Sequence, residues 1–461
     1  MDYEEAVGFQ SLLDALKRSV KGTLWKESTA KYWHNRLKNT YKLRRELFNG
    51  SYRISQYLWF VITEPKEREI FASYIKDRQY QHAIIDNIVY PAVTERFIQA
   101  NCACQKGKGT KFLIDLMLRQ LREYARIHGH EGYALQLDIK KFFASTEHDV
   151  VIKRIGEYVD DKALKACSDV IRSFVEIEFA KLLMPFMDKK TAHRFGHKIA
   201  SVFIYGGDMQ RAMKGLTAKQ AAVIRERIEK GNFKGVGLGS QVTQTTQLAL
   251  LDGLDHYIVE DLHIKVYGRY MDDAVLVHES KEYLKYCKAK IGEFLGTLHL
   301  VLNEKTQLYP LKRGIILLHW RIMVTITGKV VIHKHRRKIN KQRRKLRKQK
   351  KLLDAGEMTM QDIETSMQCW QAGILQQKCF KQVLQMRRFY WHLFGRRAPE
   401  WSPKKRRYKM HEKIIISSIS DQENRETYIT GGWTLFPGET WMMQQKPQET
   451  TVTPCLTAAT I

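Results

Sequence analysis

The sequence predicts a mixed α+β protein, and three observations support this prediction. Apolar residues recur at helical spacing in FQSLLDALKRSV, residues 9–20. Aromatic and β-branched residues are concentrated in short runs such as YALQL at 133–137 and AVLV at 274–277, which is typical of strands. The chain has 461 residues, 44% of them hydrophobic, which is enough for two or three structural units.

The N-terminal part is predicted to be helical and to lead into a strand. Helical spacing extends through ESTAKYWHNRLKNTYKLRRELFNG and ends at Gly50, a residue typical of helix stops. The segment YRISQYLWFVIT, residues 52–63, is rich in aromatic and β-branched residues. We therefore expect a strand that runs into a turn at Glu64–Pro65.

Strands and helices alternate in the middle of the chain. GYALQLDIKKFFAS at 132–145 and IKVYGRYMDDAVLVHE at 264–279 predict strands. EYLKYCKAKIGEFLGTL at 282–298 predicts a helix. No internal repeat is visible, so a solenoid is not predicted.

A strongly basic helix is predicted near the C-terminus. Residues 333–351 contain twelve Lys or Arg and no acid. Ile339, Leu346 and Leu353 repeat every seven residues and form one apolar seam. A charge run is often only a solvated face, but the seam indicates that this helix packs on a folded body and presents its cations outward. We assign no fold to the last two dozen residues of the weakly periodic tail.

The charge of the chain indicates a polyanionic partner. Lys and Arg number 78 against 49 Asp and Glu, which gives a net charge of +29. Nucleic acid is the first candidate for such a partner. A ribosome-associated or merely basic protein is the alternative.

The cysteines and the apolar segments bear on the compartment. The seven cysteines form no CxxC pair, so neither a zinc ribbon nor a disulfide framework is predicted. The start, MDYEEAVGF, lacks the features of a secretion signal, and no apolar run approaches the ~18 residues that span a bilayer. We expect a cytoplasmic, reduced protein without a membrane partner.

Two adjacent aspartates, Asp272 and Asp273, lie between apolar strand segments. This pattern places them at the tight turn of a β-hairpin, where a divalent cation would offset their repulsion. Carboxylates with open water positions suit Mg²⁺, and a two-metal site needs a third carboxylate. Asp138, which follows the strand YALQL, is the candidate, although a turn or helix cap would also explain it.

Six motifs occur along the chain in an order that resembles reverse transcriptases of retroelements. They are one segment at 64–84 that contains EPKEREI and IKDRQYQHAI, then CQKGKGT at 104–110, DIKKFF at 138–143, GVGLGSQVTQ at 235–244, YMDD at 270–273 and LNEKTQLYPLKRGI at 302–315. The resemblance covers residues 30–395 and points to the bacterial group II intron and retron-like superfamily.

The resemblance implies a right-hand polymerase fold. Its regions are a helical N-terminal part at 1–60, fingers at 61–130, a palm at 131–322 whose antiparallel sheet carries the YMDD hairpin, a helical basic thumb at 323–400, and a basic segment with a tail at 401–461. About a hundred residues separate Asp138 from Gly239, roughly twice the interval that the family leads us to expect. We therefore expect an insertion near 185–230.

The resemblance also implies catalytic roles. Asp138 and Asp272 would hold two Mg²⁺ ions, with Mn²⁺ as a substitute, and Asp273 would support the same site. Lys305 matches the palm lysine that protonates or neutralises the departing pyrophosphate. An ordinary turn lysine is the alternative for Lys305.

Binding residues follow from the same motifs. For the incoming dNTP the resemblance implies Lys66, Arg68, Ile139, Phe143 and Gln244, with Phe143 as the aromatic gate that rejects a 2′-hydroxyl. Solvated surface cations are the alternative for Lys66 and Arg68. The residues implied for primer and template contact are Tyr270, Met271, Arg78, Lys108, Arg336, Arg337, Arg343 and Arg344.

The motif at 235–244 favours one subtype. In most group II intron and retron enzymes it ends in Ser-Pro, whereas in diversity-generating retroelements it ends in Ser-Gln after a glycine. Here Gly239 and Gln244 stand in those places, with Thr243 where serine is usual. Gln241 is an alternative key glutamine, and both glutamines would also suit a plain helix start.

Two segments depart from the family pattern. Leu317-Leu318-His319 stands where the family has Phe-Leu-Gly, so the primer-grip turn lacks its glycine. The insertion carries His193 and His197, with Cys167 nearby, but without the regular spacing of a metal site.

The leading hypothesis is an RNA-directed DNA polymerase that copies an RNA template from a DNA or RNA primer with dNTPs. Mutagenic retrohoming is the first choice of role, followed by antiphage defence and by a group II intron maturase. A small accessory protein is left open as a further partner. The hypothesis from another class is a nucleic-acid-binding protein that has lost catalysis on the same scaffold.

Overall fold

The computed structural model describes residues 1–63 and 67–400. Helices and small antiparallel sheets together form the structure, which confirms the mixed α+β prediction. The described chain divides into two compact units: residues 1–21 with 34–335, and residues 22–33 with 336–400. Within the described ranges no helix has the length and apolarity to cross a membrane, and the six described cysteines form no disulfide bond.

The N-terminal region is helical, as predicted. Its helices are α1 (Tyr3–Ala6), α2 (Phe9–Ser19), α3 (Glu27–His34) and α4 (Arg36–Phe48). Asp2 begins α1 with a capping box, in which its side chain accepts from the Glu5 N–H and the Glu5 side chain accepts from the Asp2 N–H. Helix α2 buries Leu12, Ala15 and Leu16, the apolar positions of its sequence pattern.

A two-stranded hairpin and three helices follow. They are β1 (Leu58–Ile62), β2 (Arg68–Ala72), α5 (Ile75–Ile84), α6 (Tyr90–Thr94) and α7 (Thr110–His128). A π-helical turn, Ile85–Val89, joins α5 to α6. The strand predicted at 52–63 is thus one half of an antiparallel hairpin in which Ile62 pairs with Arg68.

The central sheet of the first unit has four antiparallel strands in the order β4-β5-β3-β6. They are β3 (Tyr133–Leu137), β4 (Val266–Tyr270), β5 (Asp273–His278) and β6 (Gln307–Pro310). Helix α7 packs closely on β4 because Gly268 has no side chain: a Cβ there would lie 2.5 Å from Leu113 Cδ1. The main core includes Leu135 and Leu276 from the two central strands.

Among the described residues, nine helices lie between β3 and β4 along the chain, and a tenth follows β5. They are α8 (Phe142–Ser145), α9 (His148–Gly156), α10 (Asp161–Ser173), α11 (Val175–Leu183), α12 (Lys189–Tyr205), α13 (Met209–Ala212), α14 (Ala218–Lys230), α15 (Gln241–Leu250), α16 (Asp252–His256) and, after β5, α17 (Lys281–Thr297). A second π-helical turn, Tyr257–Asp261, follows α16.

The segment predicted to be an insertion has a hydrophobic core of its own. Phe179, Ile199, Ile224 and Phe233 belong to a cluster separate from the main core. This cluster begins in α11, so the helical subdomain starts before residue 185.

The two histidines of this subdomain share one buried carboxylate. His193 Nε2 lies 2.6 Å from Glu176 Oε1, and His197 Nδ1 lies 2.8 Å from Glu176 Oε2. The Tyr57 N–H also donates to Glu176 Oε1 at 3.1 Å. These hydrogen bonds explain the two histidines as a polar network between α11, α12 and the chain before β1.

A three-stranded antiparallel sheet closes the first unit, with β7 (Ile315–Leu317), β8 (Trp320–Val324) and β9 (Val330–Lys334). The β7–β8 turn consists of Leu318 and His319, at φ +46° and +68°. Both residues adopt the left-handed conformation that two-residue hairpins need, although neither is glycine. The hairpin therefore forms without the glycine of the family pattern, and β8 runs across the predicted palm–thumb boundary at 322/323.

The second unit contains α18 (Arg336–Asp354), α19 (Met360–Leu375) and α20 (Phe380–Phe394). Leu346 is fully buried, and Ile339 and Leu353 pack on the same cluster with Met367 and Tyr390. The apolar seam of the basic helix and its packing are thus confirmed. The predicted basic segment and tail, 401–461, lie outside the described residues.

Candidate active site

The YMDD motif forms the tight turn that the sequence predicts. Tyr270 at the end of β4 pairs with Asp273 at the start of β5, so Met271 and Asp272 are the two turn residues. Met271 has φ +58°, a conformation that glycine usually supplies and that costs other residues about 1–2 kcal/mol. Strain of this kind is held where the surrounding structure fixes it, often at functional sites.

Asp138 lies beside this hairpin at the end of a neighbouring strand. Leu137 pairs with Ala274, so the chain reaches Asp138 next to the start of β5. The Asn303 N–H donates to the Asp138 carbonyl oxygen at 2.7 Å, and the Asp138 N–H donates to Thr306 Oγ1 at 3.3 Å. Hydrogen bonds to both the N–H and the carbonyl oxygen of Asp138 therefore fix the backbone from which its carboxylate projects.

The strand register places Asp138 beside the turn that carries Asp272. Burial raises the pKa of the Asp272 carboxyl, and the negative charge of Asp138 raises it further. The positive charges of Arg68 and Arg269 lower the pKa of Asp272. Arg68 is the first residue of β2.

The donor atoms suit Mg²⁺, although the carboxylates are not gathered around a common point. Carboxylate oxygens are the ligands that Mg²⁺ prefers, and a cation would offset the repulsion between Asp138 and Asp272. Across residues 1–63 and 67–400, however, no group of three His, Cys, Asp or Glu side chains is arranged to hold a metal ion. The side chains of Asp138, Asp272 and Asp273 would have to converge on bound ions.

A buried ion pair supports the turn, and the sequence analysis missed it. Arg269 is 1% exposed and its guanidinium contacts both carboxylate oxygens of Asp255, with 2.6 Å between Nε and Oδ1. Tyr267 donates to the same Oδ1 at 2.6 Å. Arg269 Nη1 donates to the Met271 carbonyl oxygen at 2.9 Å. An arginine inside the apolar strand VYGRY is the sequence signal, because a charge there requires a buried partner.

Phe143 lies at the junction of two motifs. Its ring is half-buried and meets the buried Phe142 ring edge-on, with 5.5 Å between centroids. The Val236 N–H donates to the Phe143 carbonyl oxygen at 2.8 Å, and the Gly235 N–H donates to that of Thr146 at 2.8 Å. The turn after Asp138 is thereby attached to the loop that precedes α15. Ile139, also predicted to contact the dNTP, is buried.

The loop before α15 also contacts the β1–β2 hairpin. The Phe71 N–H of β2 donates to the Leu238 carbonyl oxygen at 3.2 Å. Gly239 has φ +115°, and a Cβ there would lie 3.4 Å from the Phe71 carbonyl oxygen. Glycine is thus favoured at this position by both the backbone conformation and the close approach of β2.

The structure distinguishes the two candidate glutamines. Gln241 Nε2 donates to Asp86 Oδ1 at 2.5 Å, so its amide is committed to a structural contact. Gln244, one turn further along α15, is half-buried, and within the described ranges its side chain makes no hydrogen bond. Both lie at the helix start, but the Gln241 amide nitrogen is hydrogen-bonded and its oxygen is buried, whereas the half-buried Gln244 amide is the better placed of the two for a ligand contact.

Other predicted site residues have different surroundings. Lys305 is exposed in the turn that holds the Asp138 backbone, where its N–H donates to Asn303 Oδ1 at 3.2 Å. Lys108 Nζ donates to the carbonyl oxygens of Asn101 and Ile98, at 3.0 and 3.3 Å. Burial lowers the pKa of Lys108. Tyr270 is half-buried, and burial raises its pKa.

Two further predicted site residues remain, Arg78 and Lys66. Arg78 Nη2 donates to the Ser19 carbonyl oxygen and ties α5 to α2. Burial lowers the pKa of Arg78. Lys66 lies outside the described residues, so its predicted contact with the triphosphate stays a prediction.

The four arginines predicted to contact nucleic acid lie on α18 in the second unit. Arg336, Arg337 and Arg344 are exposed, and the guanidinium of Arg343 lies 5.5 Å from the Phe389 ring centroid. Asn340, Arg343, Arg344 and Arg347 border an open depression on the surface of this helix. Three of these four residues are arginines.

Comparison with known proteins gives distant structural similarity only. No family model matches the chain, and no curated protein matches it. Telomerase from Candida albicans, solved with the TWJ fragment of telomeric RNA, is 11% identical with a TM-score of 0.35, over 60% of this chain and 45% of that one. Apo telomerase from Candida tropicalis is 12% identical with a TM-score of 0.35, over 60% and 48%.

A Candida tropicalis telomerase truncated from its C-terminal domain is 12% identical with a TM-score of 0.34, over 64% of this chain and 60% of that one. The chain thus spans between 45% and 60% of the length of these telomerases. At this distance the similarity identifies no activity.

Proposed function

We propose that the protein is an RNA-directed DNA polymerase that transfers nucleotidyl groups at the YMDD hairpin. The observation that carries the proposal is the strand register, which places Asp138 at the end of β3 beside the hairpin turn that carries Asp272 and Asp273. The positive charge of Arg68 also lowers the pKa of Asp272. Two repelling carboxylates beside a cation suit a site for a metal-bound, anionic substrate.

The residues have separate tasks in this proposal. Asp138 and Asp272, with Asp273 beside them, would hold two Mg²⁺ ions, which when bound activate the primer hydroxyl and neutralise the leaving phosphates. Arg68 attracts the triphosphate to the turn, and Lys305 supplies a mobile cation for the pyrophosphate. The buried Arg269–Asp255 pair supports the turn backbone and so keeps Asp272 in position relative to Asp138.

The proposed function assigns polymerase regions to the elements of the fold. The β3–β6 sheet would be the palm, the β1–β2 hairpin part of the fingers, and α18–α20 the basic thumb that binds template and primer. The α11–α14 subdomain is an addition to this plan. RNA template, DNA or RNA primer and dNTPs are the proposed partners.

Mutagenic retrohoming of a diversity-generating retroelement is the proposed role. It is supported by Gly239 packed against β2 and by the uncommitted amide of Gln244. Antiphage defence and a maturase role remain the alternatives, and inspection of the neighbouring genes for a near-repeat pair and a variable receptor gene would separate them.

The test is incorporation of dNTPs on a primed RNA template with and without Mg²⁺. The wild-type protein should extend the primer only with the metal, and Asp272→Asn should not extend it. Asp261→Asn is the matched control, since Asp261 is an exposed carboxylate away from the hairpin. Absence of extension by the wild type on every primed template would favour the non-catalytic reading.

A further inference from the structure

Helix α4 has one face anchored in the first unit. Thr40 and Leu43 are its buried residues. Gln79 Nε2 of α5 donates to Thr40 Oγ1 at 2.8 Å. This face fixes the helix, so the residues on its opposite side are held at the surface.

The opposite face of α4 combines large apolar side chains with cations. Leu37, Tyr41 and Phe48 are 55%, 60% and 53% exposed. At about 100° per residue, the exposed positions fall within an arc of about 140°. These positions are Leu37, Lys38, Tyr41, Lys42, Arg45 and Phe48.

Single exposed apolar residues are ordinary, but a stripe of them on one helix marks a binding surface. The α4 sequence RLKNTYKLRRELF contains five Lys or Arg and one Glu. An apolar protein partner would have to desolvate these cations, which is costly, whereas a polyanion neutralises them. Interleaved aromatic rings and cations are the combination that binds single-stranded nucleic acids.

We propose that this face of α4 binds single-stranded RNA, with bases stacked on Tyr41 and Phe48 and phosphates beside Lys38, Lys42 and Arg45. The Arg44 guanidinium lies 4.6 Å from the Phe48 ring centroid and holds that ring from one side. None of these residues belongs to the candidate active site. The choice of RNA over DNA rests on the proposed function. The assignment of this face as a binding surface for single strands rests on its exposed aromatic rings and cations alone.

The test is fluorescence anisotropy of the full chain with a labelled single strand of roughly 16 nucleotides, as RNA and as DNA of the same sequence. Tyr41→Ala with Phe48→Ala should weaken RNA binding at least about tenfold. Lys38→Ala, Lys42→Ala and Arg45→Ala together should make the log–log salt dependence shallower by about 2, at ~0.7 per phosphate contact.

Helix α17 supplies the matched control. Lys281, Lys285 and Lys288 have the same spacing as the three α4 cations, and Tyr286 is 51% exposed. Their alanine variants should bind RNA as the wild type does. Cross-linking of RNA that contains 4-thiouridine should, in the wild type, label the peptide carrying Tyr41 or Phe48, which tests the face without any substitution.

Unchanged affinity and salt dependence in both α4 variants, or cross-links only to other peptides, would overturn the proposal. Equal effects in the α17 controls would also overturn it, because RNA would then be attracted to any basic surface of the protein. Tighter binding of the DNA strand would overturn the choice of RNA. The assay needs neither Mg²⁺ nor dNTPs, so its failure is distinguishable from a failure of the proposed polymerase activity.

Discussion

Arg269 donates a 2.9 Å hydrogen bond from Nη1 to the carbonyl oxygen of Met271, the residue before Asp272. The rest of its guanidinium is held by Asp255, which is itself fully buried. A buried ion pair thus connects the interior of the sheet to the strained turn that carries the aspartates. Correct placement of Asp272 depends on both members of the pair.

Asp255→Asn should therefore destabilise the fold and disturb the turn. Removing one charge leaves Arg269 buried without compensation, which typically costs about 3–5 kcal/mol. Chemical denaturation followed by tryptophan fluorescence measures the loss. Glu282→Gln is the control, because Glu282 pairs with Lys285 at the surface, and its denaturation midpoint should not move. Equal midpoints for both variants would contradict the role of the pair.

Phe143→Ala should admit ribonucleotides. The half-buried ring lies at the turn after Asp138, and its removal opens space for a 2′-hydroxyl. We expect discrimination between dNTP and rNTP, measured as the ratio of kcat/KM values, to fall by at least about tenfold. Phe142→Ala, which removes the fully buried neighbour, should lower stability and leave this ratio unchanged. The opposite pattern would make Phe142 the gate.

Gln244 should determine accuracy opposite adenine. Its amide can hydrogen-bond to mismatched bases, and ~1.4 kcal/mol of added tolerance raises the error rate tenfold. Gln244→Leu should reduce errors, scored by sequencing cDNA from a defined RNA template. Gln241→Leu is the control, because Gln241 is bound to Asp86. Accurate copying at adenines by the wild type would favour the defence or maturase roles.

Proline, the commoner residue at this motif, is a less informative substitution for Gln244. The Gln244 N–H donates to the Ser240 carbonyl oxygen at 3.3 Å in the first turn of α15. Gln244→Pro removes this hydrogen bond and should loosen the helix start. A change in accuracy could then come from the backbone as well as from the lost amide.

The basic helix α18 should set much of the salt dependence of RNA binding. Each neutralised phosphate contributes about −0.7 to the log–log slope on single strands. Replacing Arg336, Arg337, Arg343 and Arg344 by alanine should make the slope shallower. Replacing the four lysines Lys281, Lys285, Lys288 and Lys290 of α17 should not. An unchanged slope in the α18 variant would mean that this helix faces something other than nucleic acid.

Local patterns in the sequence predicted the local parts of the structure. Helix α18 with its seam at Leu346 and the hairpin turn at Asp272 follow from periodicity and from apolar flanks. The position of Asp138 at a strand end beside the hairpin was inferred from the strand YALQL that precedes it, and the strand register places it there. The strand β2 was missed because turn-like and charged residues surround Arg68 and hide its pairing with β1.

Polar contacts between residues far apart in the sequence could not be predicted from local patterns. Asp255 and Arg269 are separated by a π-helical turn and a strand, and nothing local indicates that they pair. His193 and His197 were weighed only as a metal site without regular spacing, because Glu176 is recognisable as their partner only once α11 and α12 are packed. Such contacts depend on tertiary packing, which periodicity does not record.

The central claim is that Asp138 and Asp272 act at one site, and a double-mutant cycle on the polymerisation rate tests it most directly. Asp138→Ala, Asp272→Ala and Asp273→Ala should each lower single-turnover primer extension by at least ~10³ while RNA binding stays nearly intact. If the first two residues hold the same ions, the double variant Asp138→Ala with Asp272→Ala should be no slower than either single variant. Multiplicative losses, or extension by Asp272→Ala above a tenth of the wild-type rate, would contradict the account.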